Sequence, residues 1–398
     1  MAWSKRVVFA GVPCFVAWAG AGCGTASLST GDASAVEDAG DASTEPPDSS
    51  LDAILDAKVC EPIVLRTVSM PACTQPGVPP TSPVTPMDEA FQLPLTPPID
   101  FRRVRDLTYA TRGGKVLLGD LLIPKSVGSS KPGVLVVIHG GGWKDCARRR
   151  APVEAVAGIW AALGNVAAFN IEYRLLQEGG AFPENIGDVH CALHWISKEA
   201  SRFGLDGSKL VLAGESAGAH LSALAAMTVG DPAYVPAGCE LAPGTVKGSM
   251  NFSGVYDLPL FASRPTFPEP KLSATGDSPR SLVEGYTRTA CVEKNVLATS
   301  CSSKICGPCV QASPVAHACG TKSEMLLVQA EDPIDPLVPM EQTLAFMAGL
   351  SAAGIPTELV KGTAADCKDD PSAGHGFSPC LVRKSVPEVT KFLSRLRP

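Results

Sequence analysis

The chain has 398 residues, of which 45% are hydrophobic and 19% charged, a composition that suits one large globular domain or two smaller ones. The formal net charge of −6 gives no indication of a nucleic-acid partner. Fourteen cysteines are many for a cytosolic protein, so the sequence predicts an oxidising compartment.

The N-terminus has the three-part pattern of an export signal. Lys5 and Arg6 precede an apolar run over 7–20, which is too short to span a bilayer. The sequence Gly20-Ala21-Gly22-Cys23 resembles the processing site of bacterial lipoproteins, although Gly20 stands where such sites usually carry a larger apolar residue. We therefore expect a signal peptide over 1–22 and a lipid on Cys23 that anchors the exported protein to a membrane of the cell envelope. The alternative is an ordinary cleaved signal.

Residues 23–100 are predicted to form a disordered tether. The stretch 31–57 has eight carboxylates and no lysine or arginine, so it offers too little apolar surface to offset the entropy of ordering the chain. Eight prolines over 75–98 favour an extended spacer. The folded domain is expected to occupy residues 101–398.

Strand and helix patterns alternate along this domain. Strands are predicted over 104–110, 115–123, 134–138, 166–171, 210–213, 249–252, 325–330 and 357–361, and helices over 151–163, 183–203, 219–227, 340–353 and 386–396. The alternation predicts an α/β fold with a mostly parallel sheet. A stretch rich in proline and cysteine, 257–311, interrupts it as an irregular insertion.

Ser216 lies in the sequence Gly214-Glu215-Ser216-Ala217-Gly218, between an apolar run and an alanine-rich helical segment. A strand, a tight turn with a central serine and a helix are the pattern of a nucleophile elbow, which projects the hydroxyl beyond the end of a sheet. The alternative is a chance match in a chain with 38 glycines. The choice depends on an oxyanion loop before the serine and an acid and a histidine after it.

A glycine loop, His139-Gly140-Gly141-Gly142-Trp143, follows the strand over 134–138. Three glycines allow backbone amides to turn toward one point without obstruction by side chains. We expect the amides of Gly141, Gly142 and Ala217 to stabilise the negative oxygen of a tetrahedral intermediate. A merely flexible loop is the alternative.

Together these motifs resemble the α/β-hydrolase superfamily, and within it carboxylesterases of the hormone-sensitive-lipase type and the related feruloyl-esterase-like group. The matching segments are 139–143, 170–175, 182–183, 188–189, 214–218, 254–258, 313–314 and 374–377. The resemblance covers residue 103 to the C-terminus. It implies a mostly parallel central sheet with helices on both faces, and ester hydrolysis without a metal or another cofactor.

A serine hydroxyl needs a base at neutral pH, and the chain has six histidines. In this fold the order is serine, acid, histidine, and His375 satisfies it in a loop after the last predicted strand. His139 is expected to brace the glycine loop. The remaining histidines are interpreted as structural: His190, His194, His220 and His317.

Two aspartates compete for the role of the acid. Asp335 matches the family spelling Asp-x-x-Val-Pro, whereas Asp332 lies closer to the end of the preceding strand, as in the lipase-type spelling. We favour Asp335 and expect Asp332 to cap a turn.

The predicted function is that of an exported serine carboxylesterase acting on a small or polysaccharide-linked ester, with specificity set by the insertion. The alternatives are an esterase for feruloyl or acetyl groups on plant cell-wall polysaccharide, a non-catalytic binding protein on the same fold, and a peptidase of the same fold. Cys306-Gly307-Pro308-Cys309 spells a redox motif, but we expect structural disulfides around the insertion.

Overall fold

The computed structural model describes residues 101–125, 131–149, 152–264, 267, 277–291, 307–318, 323–368, 370 and 374–395, together with the backbone of 59–63. The predicted signal peptide, Cys23 and most of the predicted tether lie outside these residues. No helix in the described part of the chain has both the length and the apolarity that a bilayer crossing requires.

A single twisted sheet forms the centre of the domain. The described strands are β1 (Val59–Ile63), β2 (Phe101–Arg112), β3 (Lys115–Pro124), β4 (Val134–Ile138), β5 (Ala167–Ile171), β6 (Leu210–Glu215), β7 (Val246–Phe252), β8 (Glu324–Ala330) and β9 (Thr357–Gly362). Their order across the sheet is β1-β2-β3-β5-β4-β6-β7-β8-β9. Three neighbouring pairs at one edge are antiparallel: β1 with β2, β2 with β3, and β3 with β5. All other neighbouring pairs in this order are parallel. The predicted mostly parallel sheet is therefore present, with an antiparallel edge.

Helices cover both faces of this sheet. They are α1 (Val153–Gly164), α2 (Glu184–Glu199), α3 (Ala217–Met227), α4 (Leu258–Ala262), α5 (Pro279–Thr287), α6 (Pro308–Gln311), α7 (Met340–Ala352), α8 (Ala364–Cys367) and α9 (Pro379–Ser394). Helices α1 and α9 pack together on one face, and α2, α3 and α7 lie on the other.

The sequence of β4 explains why the sheet is covered twice. Side chains alternate along a strand, and every residue of Val-Leu-Val-Val-Ile is apolar. Val134, Val136 and Ile138 pack in the core with α2 and α3, whereas Leu135 and Val137 pack in the core with α1 and α9. A strand that is apolar throughout must bury both of its faces, as parallel strands do.

Several boundaries differ from the prediction. The closing helix α9 begins at Pro379, where Ser378 accepts a hydrogen bond from the Leu381 amide, and not at residue 386. Pro387 lies inside this helix, and an internal proline usually signals a break, so the pattern alone places the start too late. The α-helix predicted over 183–203 spans Glu184–Glu199, and the rest of the predicted range is a separate 3₁₀ turn over Ala200–Phe203.

The insertion is more regular than predicted. It contains α4, α5 and α6, and a capping box between Ser278 and Ser281 starts α5. A disulfide joins Cys291 to Cys309, so Cys309 does not pair with Cys306 in a redox motif. Cys301, Cys306 and Cys319 lie outside the described residues. Two more disulfides, Cys191–Cys239 and Cys367–Cys380, lie elsewhere in the domain.

The strand β1 falls inside the stretch 23–100 that the composition predicts to be a disordered tether. It pairs antiparallel with β2, with Val59 opposite Val104. The prediction of a continuous tether did not include this strand. The sheet therefore includes one strand from the part of the chain that precedes residue 101.

Candidate active site

Ser216 occupies the tight turn between β6 and α3. Its backbone has φ 52° and ψ −120°, an unfavourable conformation for a residue with a side chain. The Ser216 amide donates to the Phe252 carbonyl on β7 at 2.8 Å, which holds the turn against the sheet. A Cβ on Gly214 would collide with the Gly218 carbonyl, and one on Gly218 with the Ile138 carbonyl. The turn therefore requires both glycines of the motif.

The glycine loop leaves β4 with two consecutive glycines in the left-handed region, Gly141 at φ 103° and Gly142 at φ 58°. Tyr173 holds the beginning of the loop, because its hydroxyl donates to the His139 carbonyl at 3.1 Å. The His139 and Tyr173 rings also stack, with 4.4 Å between centroids. These contacts brace the beginning of the loop and give the buried His139 ring a packing partner.

This loop lies directly against the serine. A Cβ on Gly140 would come within 2.9 Å of the Glu215 carbonyl oxygen and 3.2 Å of the Ser216 Cβ. Ala217 is the first residue of α3, where backbone amides have no partner within the helix. Gly141, Gly142 and Ala217 thus come from two segments that meet at Ser216.

His375 and Asp335 are brought together from different loops. His375 Nδ1 lies 2.9 Å from one carboxylate oxygen of Asp335 and 3.0 Å from the other. An ionised carboxylate can only accept, so Nδ1 carries the proton and donates, which leaves Nε2 as the unprotonated nitrogen. The Asp335 side chain is 0% exposed and that of His375 is 17% exposed. Only the histidine end of the pair is accessible.

The Asp335 carboxylate has other donors that keep it in place. The amides of Leu337 and Val338 donate to it at 2.9 and 3.0 Å, and the Gln329 side-chain amide donates at 2.9 Å. Asp332 instead accepts from the Met340 amide at 3.2 Å, at the start of α7. Of the two candidate acids, only Asp335 bonds to His375 among the contacts of the described residues.

The histidine loop is tied to the serine strand. The Gly376 amide donates to the Ser253 hydroxyl at 3.0 Å, and the Phe377 amide donates to the Glu215 carboxylate at 2.8 Å. Glu215 directly precedes Ser216, so the two residues after His375 are anchored beside Ser216. Sequence reasoning missed these two acceptors and Gln329. The only signal for Glu215 was its place within the G-x-S-x-G motif.

The insertion contacts the glycine loop through aromatic side chains. Tyr286 of α5 stacks on Trp143, with 4.4 Å between ring centroids. The Trp143 indole donates to His220 Nδ1 at 3.2 Å, and His220 Nε2 donates to the Ala312 carbonyl at 2.7 Å. Burial lowers the pKa of His220 to about 4, so the ring stays neutral, as this pattern of donor and acceptor requires.

Two further contacts connect the start of α5 with the same loop. Lys144 pairs with Asp277. A methyl group of Leu282 lies 3.6 Å from the position that a Cβ on Gly142 would occupy. The insertion therefore covers the outer side of the glycine loop.

The other histidines bond to structural partners. His190 bonds to Thr228, His194 to the Glu240 carbonyl, and His317 to Tyr234 and the Gln311 carbonyl. Within the described residues, no group of three or more histidine, cysteine, aspartate or glutamate side chains is placed to hold a metal ion.

Comparison with known proteins identifies the family. The model of the BD-FAE family matches residues 120–350, which is more than half of the 398 residues. The chain belongs to the BD-FAE family. The matched range includes the glycine loop, the serine turn, the insertion and Asp335, and it ends before His375.

Two similar curated proteins are esterases of Mycobacterium tuberculosis (strain ATCC 25618 / H37Rv). Esterase LipQ is 27% identical over 280 residues, which cover 70% of this chain and 58% of LipQ. Esterase LipC is 28% identical over 309 residues, which cover 74% of this chain and 67% of LipC. The chain thus spans little more than half of the length of LipQ.

Solved esterase structures share the fold at low sequence identity. A thermophilic esterase from Thermogutta terrifontis superposes with a TM-score of 0.52 at 20% identity, over 76% of this chain and 96% of that one. A truncated carbohydrate esterase from gut microbiota superposes with a TM-score of 0.52 at 17% identity, over 74% and 95%. These likenesses concern the fold alone, and they confirm the predicted α/β-hydrolase fold.

Proposed function

We propose that this protein is a serine carboxylesterase that hydrolyses carboxylic esters through an acyl-enzyme intermediate. One observation carries the proposal: the buried Asp335 carboxylate accepts from His375 Nδ1, and the loop that holds His375 is hydrogen-bonded to Glu215, next to Ser216. Nucleophile, base and acid in this arrangement are the parts that acyl transfer to a serine requires.

In the first half of the proposed reaction, Ser216 Oγ attacks the ester carbonyl carbon while His375 Nε2 takes the hydroxyl proton. Asp335 stabilises the imidazolium that forms. The amides of Gly141, Gly142 and Ala217 bind the oxyanion of the tetrahedral intermediate. The intermediate collapses when the carbon–oxygen bond to the alcohol breaks, and His375 gives its proton to the leaving alkoxide oxygen.

In the second half, water replaces the alcohol. His375 Nε2 takes a proton from the water, whose oxygen attacks the acyl carbon bound to Ser216. The second tetrahedral intermediate uses the same amides. Its collapse returns the proton to Ser216 Oγ and releases the carboxylic acid.

A fluorophosphonate probe tests this proposal, because it reacts with an activated serine and not with ordinary ones. We expect the probe to label Ser216 and abolish hydrolysis of p-nitrophenyl acetate. Ser216→Ala should prevent labelling and lower kcat by roughly 10⁴ to 10⁶, since only binding and the oxyanion amides remain. A wild-type protein that neither reacts with the probe nor hydrolyses the ester would instead support a non-catalytic binding role on this fold.

A second candidate function is the removal of feruloyl or acetyl groups from plant cell-wall polysaccharide. Membership of the BD-FAE family favours it, together with the motifs that resemble the feruloyl-esterase-like group. A panel of p-nitrophenyl esters of increasing acyl length, run beside feruloylated and acetylated xylan, separates the candidates. Higher kcat/KM on the xylan substrates would select the second.

We also propose that the protein is exported and anchored by a lipid on Cys23. The support is the sequence pattern of basic, apolar and small residues that ends at Cys23. Anchoring would place the esterase at the cell envelope, with its ester substrate outside the cytoplasm.

A further inference from the structure

A buried glutamine lies behind the Asp335–His375 pair. Gln329 is the penultimate residue of β8, and its side chain is 0% exposed. Its Nε2 donates to the Asp335 carboxylate and to the Val338 carbonyl, both at 2.9 Å. Burying an amide is costly without such partners, so this side chain is committed to the loop that carries Asp335.

The chemistry of the partners determines the orientation of this amide. Both groups that face Nε2 are oxygen acceptors, so the reversed amide would place its oxygen against a carboxylate and a carbonyl. On the other side, Thr343 Oγ1 lies 3.5 Å from Gln329 Oε1 and can donate to it. The Gln329 side chain therefore points its NH₂ group, and not its oxygen, at the Asp335 carboxylate.

Within the described part of the chain, three groups other than His375 donate to Asp335, and they are not equivalent. The Leu337 and Val338 amides belong to the same turn as Asp335 and donate to the same oxygen, Oδ1. Gln329 donates to Oδ2 and comes from the sheet. It alone among these donors fixes the carboxylate relative to the strand that supports the site.

We propose that Gln329 is a positioning residue for the Asp335–His375 pair, an inference that rests on the proposed esterase function. Its hydrogen bond takes part of the negative charge of Asp335 and holds Oδ2 toward His375. Without that bond, the carboxylate attracts the imidazolium proton more strongly and rotates more freely. Both the acidity of His375 and the turnover number then change.

The first test replaces the donor with a side chain of similar length, in Gln329→Met. We expect kcat to fall roughly tenfold to hundredfold, as for a lost hydrogen bond to a charged group, with KM nearly unchanged. The apparent pKa of the acidic limb of kcat/KM should rise by about one unit, because Asp335 becomes more basic. A role confined to folding would not shift this limb.

The second test is the isosteric Gln329→Glu. At acidic pH the introduced carboxyl group is protonated and can donate one hydrogen bond to Asp335. At alkaline pH it ionises, and two carboxylates that share one site repel each other. We expect kcat/KM to fall at alkaline pH, where the wild-type profile stays flat. This result decides the question even if Gln329→Met does not fold.

Gln342→Met is the matched control. Gln342 is also a buried glutamine with three hydrogen bonds, from the Tyr256 and Asp257 amides and to the Asp257 carbonyl, and none of these reaches Asp335 or His375. This variant should lose stability but keep the wild-type pH profile.

The outcomes separate this inference from the proposed function. If the wild type reacts with the fluorophosphonate probe and both Gln329 variants keep its pH profile, the positioning role is wrong while the esterase function stands. If the wild type itself is neither labelled nor active, the proposed function fails first.

Discussion

The carboxylate of Glu215 accepts a hydrogen bond of 2.8 Å from the backbone amide of Phe377, across 162 positions of sequence. Glu215 precedes the nucleophile of the proposed reaction, and Phe377 lies two residues after His375. The bond therefore fixes the distance between the two segments that carry the nucleophile and the base of the proposed reaction.

This relationship predicts that the two simplest Glu215 variants differ. Glu215→Ala removes the acceptor and should lower kcat about tenfold to hundredfold through misplacement of His375. Glu215→Gln retains a carbonyl oxygen of the same reach and should keep most of the activity. Steady-state kinetics on a p-nitrophenyl ester distinguishes them. Equal losses in both variants would show that the charge matters and the hydrogen bond does not.

The two candidate acids are separated by parallel substitutions. Asp335→Asn should lower turnover on the order of 10⁴, because His375 loses the acceptor that selects its tautomer and stabilises its charge. Asp332→Asn should cost at most about 0.5–2 kcal/mol of stability, as for a capping residue, with activity largely kept. Both kcat and the melting temperature should be measured. The reverse pattern would transfer the acid role to Asp332.

The anchoring proposal predicts where the exported protein is found. If Cys23 carries a lipid, the protein should partition into the detergent phase, and Cys23→Ser should release it or block processing. Mass spectrometry of the mature N-terminus is the direct measurement. An unmodified N-terminus at another residue would reject the proposal.

The Cys291–Cys309 disulfide should support activity as well as stability. It joins the chain just after α5 to α6. Tyr286 of α5 contacts Trp143, and Ala312, directly after α6, bonds to His220. Cys291→Ser should lower the free energy of unfolding by about 2–4 kcal/mol and reduce kcat, because the glycine loop loses its cover. Mild reduction should loosen the insertion before the sheet.

A second disulfide provides the control for this prediction. Cys239→Ser breaks the Cys191–Cys239 bond, whose loop spans 48 positions and which joins α2 to a distant segment. This variant should be destabilised, but kcat of its folded fraction should match the wild type. A Cys291→Ser variant with unchanged kcat would show that the insertion contributes stability only.

Two buried histidines predict that acid destabilises the fold. Burial lowers the pKa of His190 to about 3 and that of His220 to about 4, from a usual value of 6.5. Below pH 6.5 the unfolded chain binds protons that these folded side chains do not bind. The free energy of unfolding should therefore decrease as the pH is lowered from about 6.5 to about 4, by up to ~1.4 kcal/mol per pH unit for each histidine.

Asp257 acts in the opposite direction, since burial raises its pKa to about 6. It is one group against three, because burial also lowers the pKa of His317. Urea unfolding between about pH 7 and about pH 4 measures the net slope. His220→Gln should make the slope shallower, because His190 then acts without it. A wild-type stability that does not change over this range would contradict the assignment of two neutral buried histidines.

The local parts of this molecule could be predicted from the sequence. The strand, turn and helix around Ser216, and the apolar strand that leads into the glycine loop, follow from short-range rules of periodicity and glycine conformation. The order of serine, acid and histidine narrowed six histidines to His375. The α/β-hydrolase fold followed from the alternation of strands and helices together with these motifs.

The pairing of residues that are distant in sequence was decided only by the tertiary structure. Asp332 and Asp335 lie three positions apart in one loop, each before a proline, and the sequence favoured Asp335 only through its resemblance to a family spelling. His375 is 40 positions from Asp335. It meets this aspartate because β8 and β9 are parallel, so the segments that follow them leave the same edge of the sheet. The roles of Glu215 and Gln329, and the Cys291–Cys309 pairing, depend in the same way on contacts through space, which residue order does not encode locally.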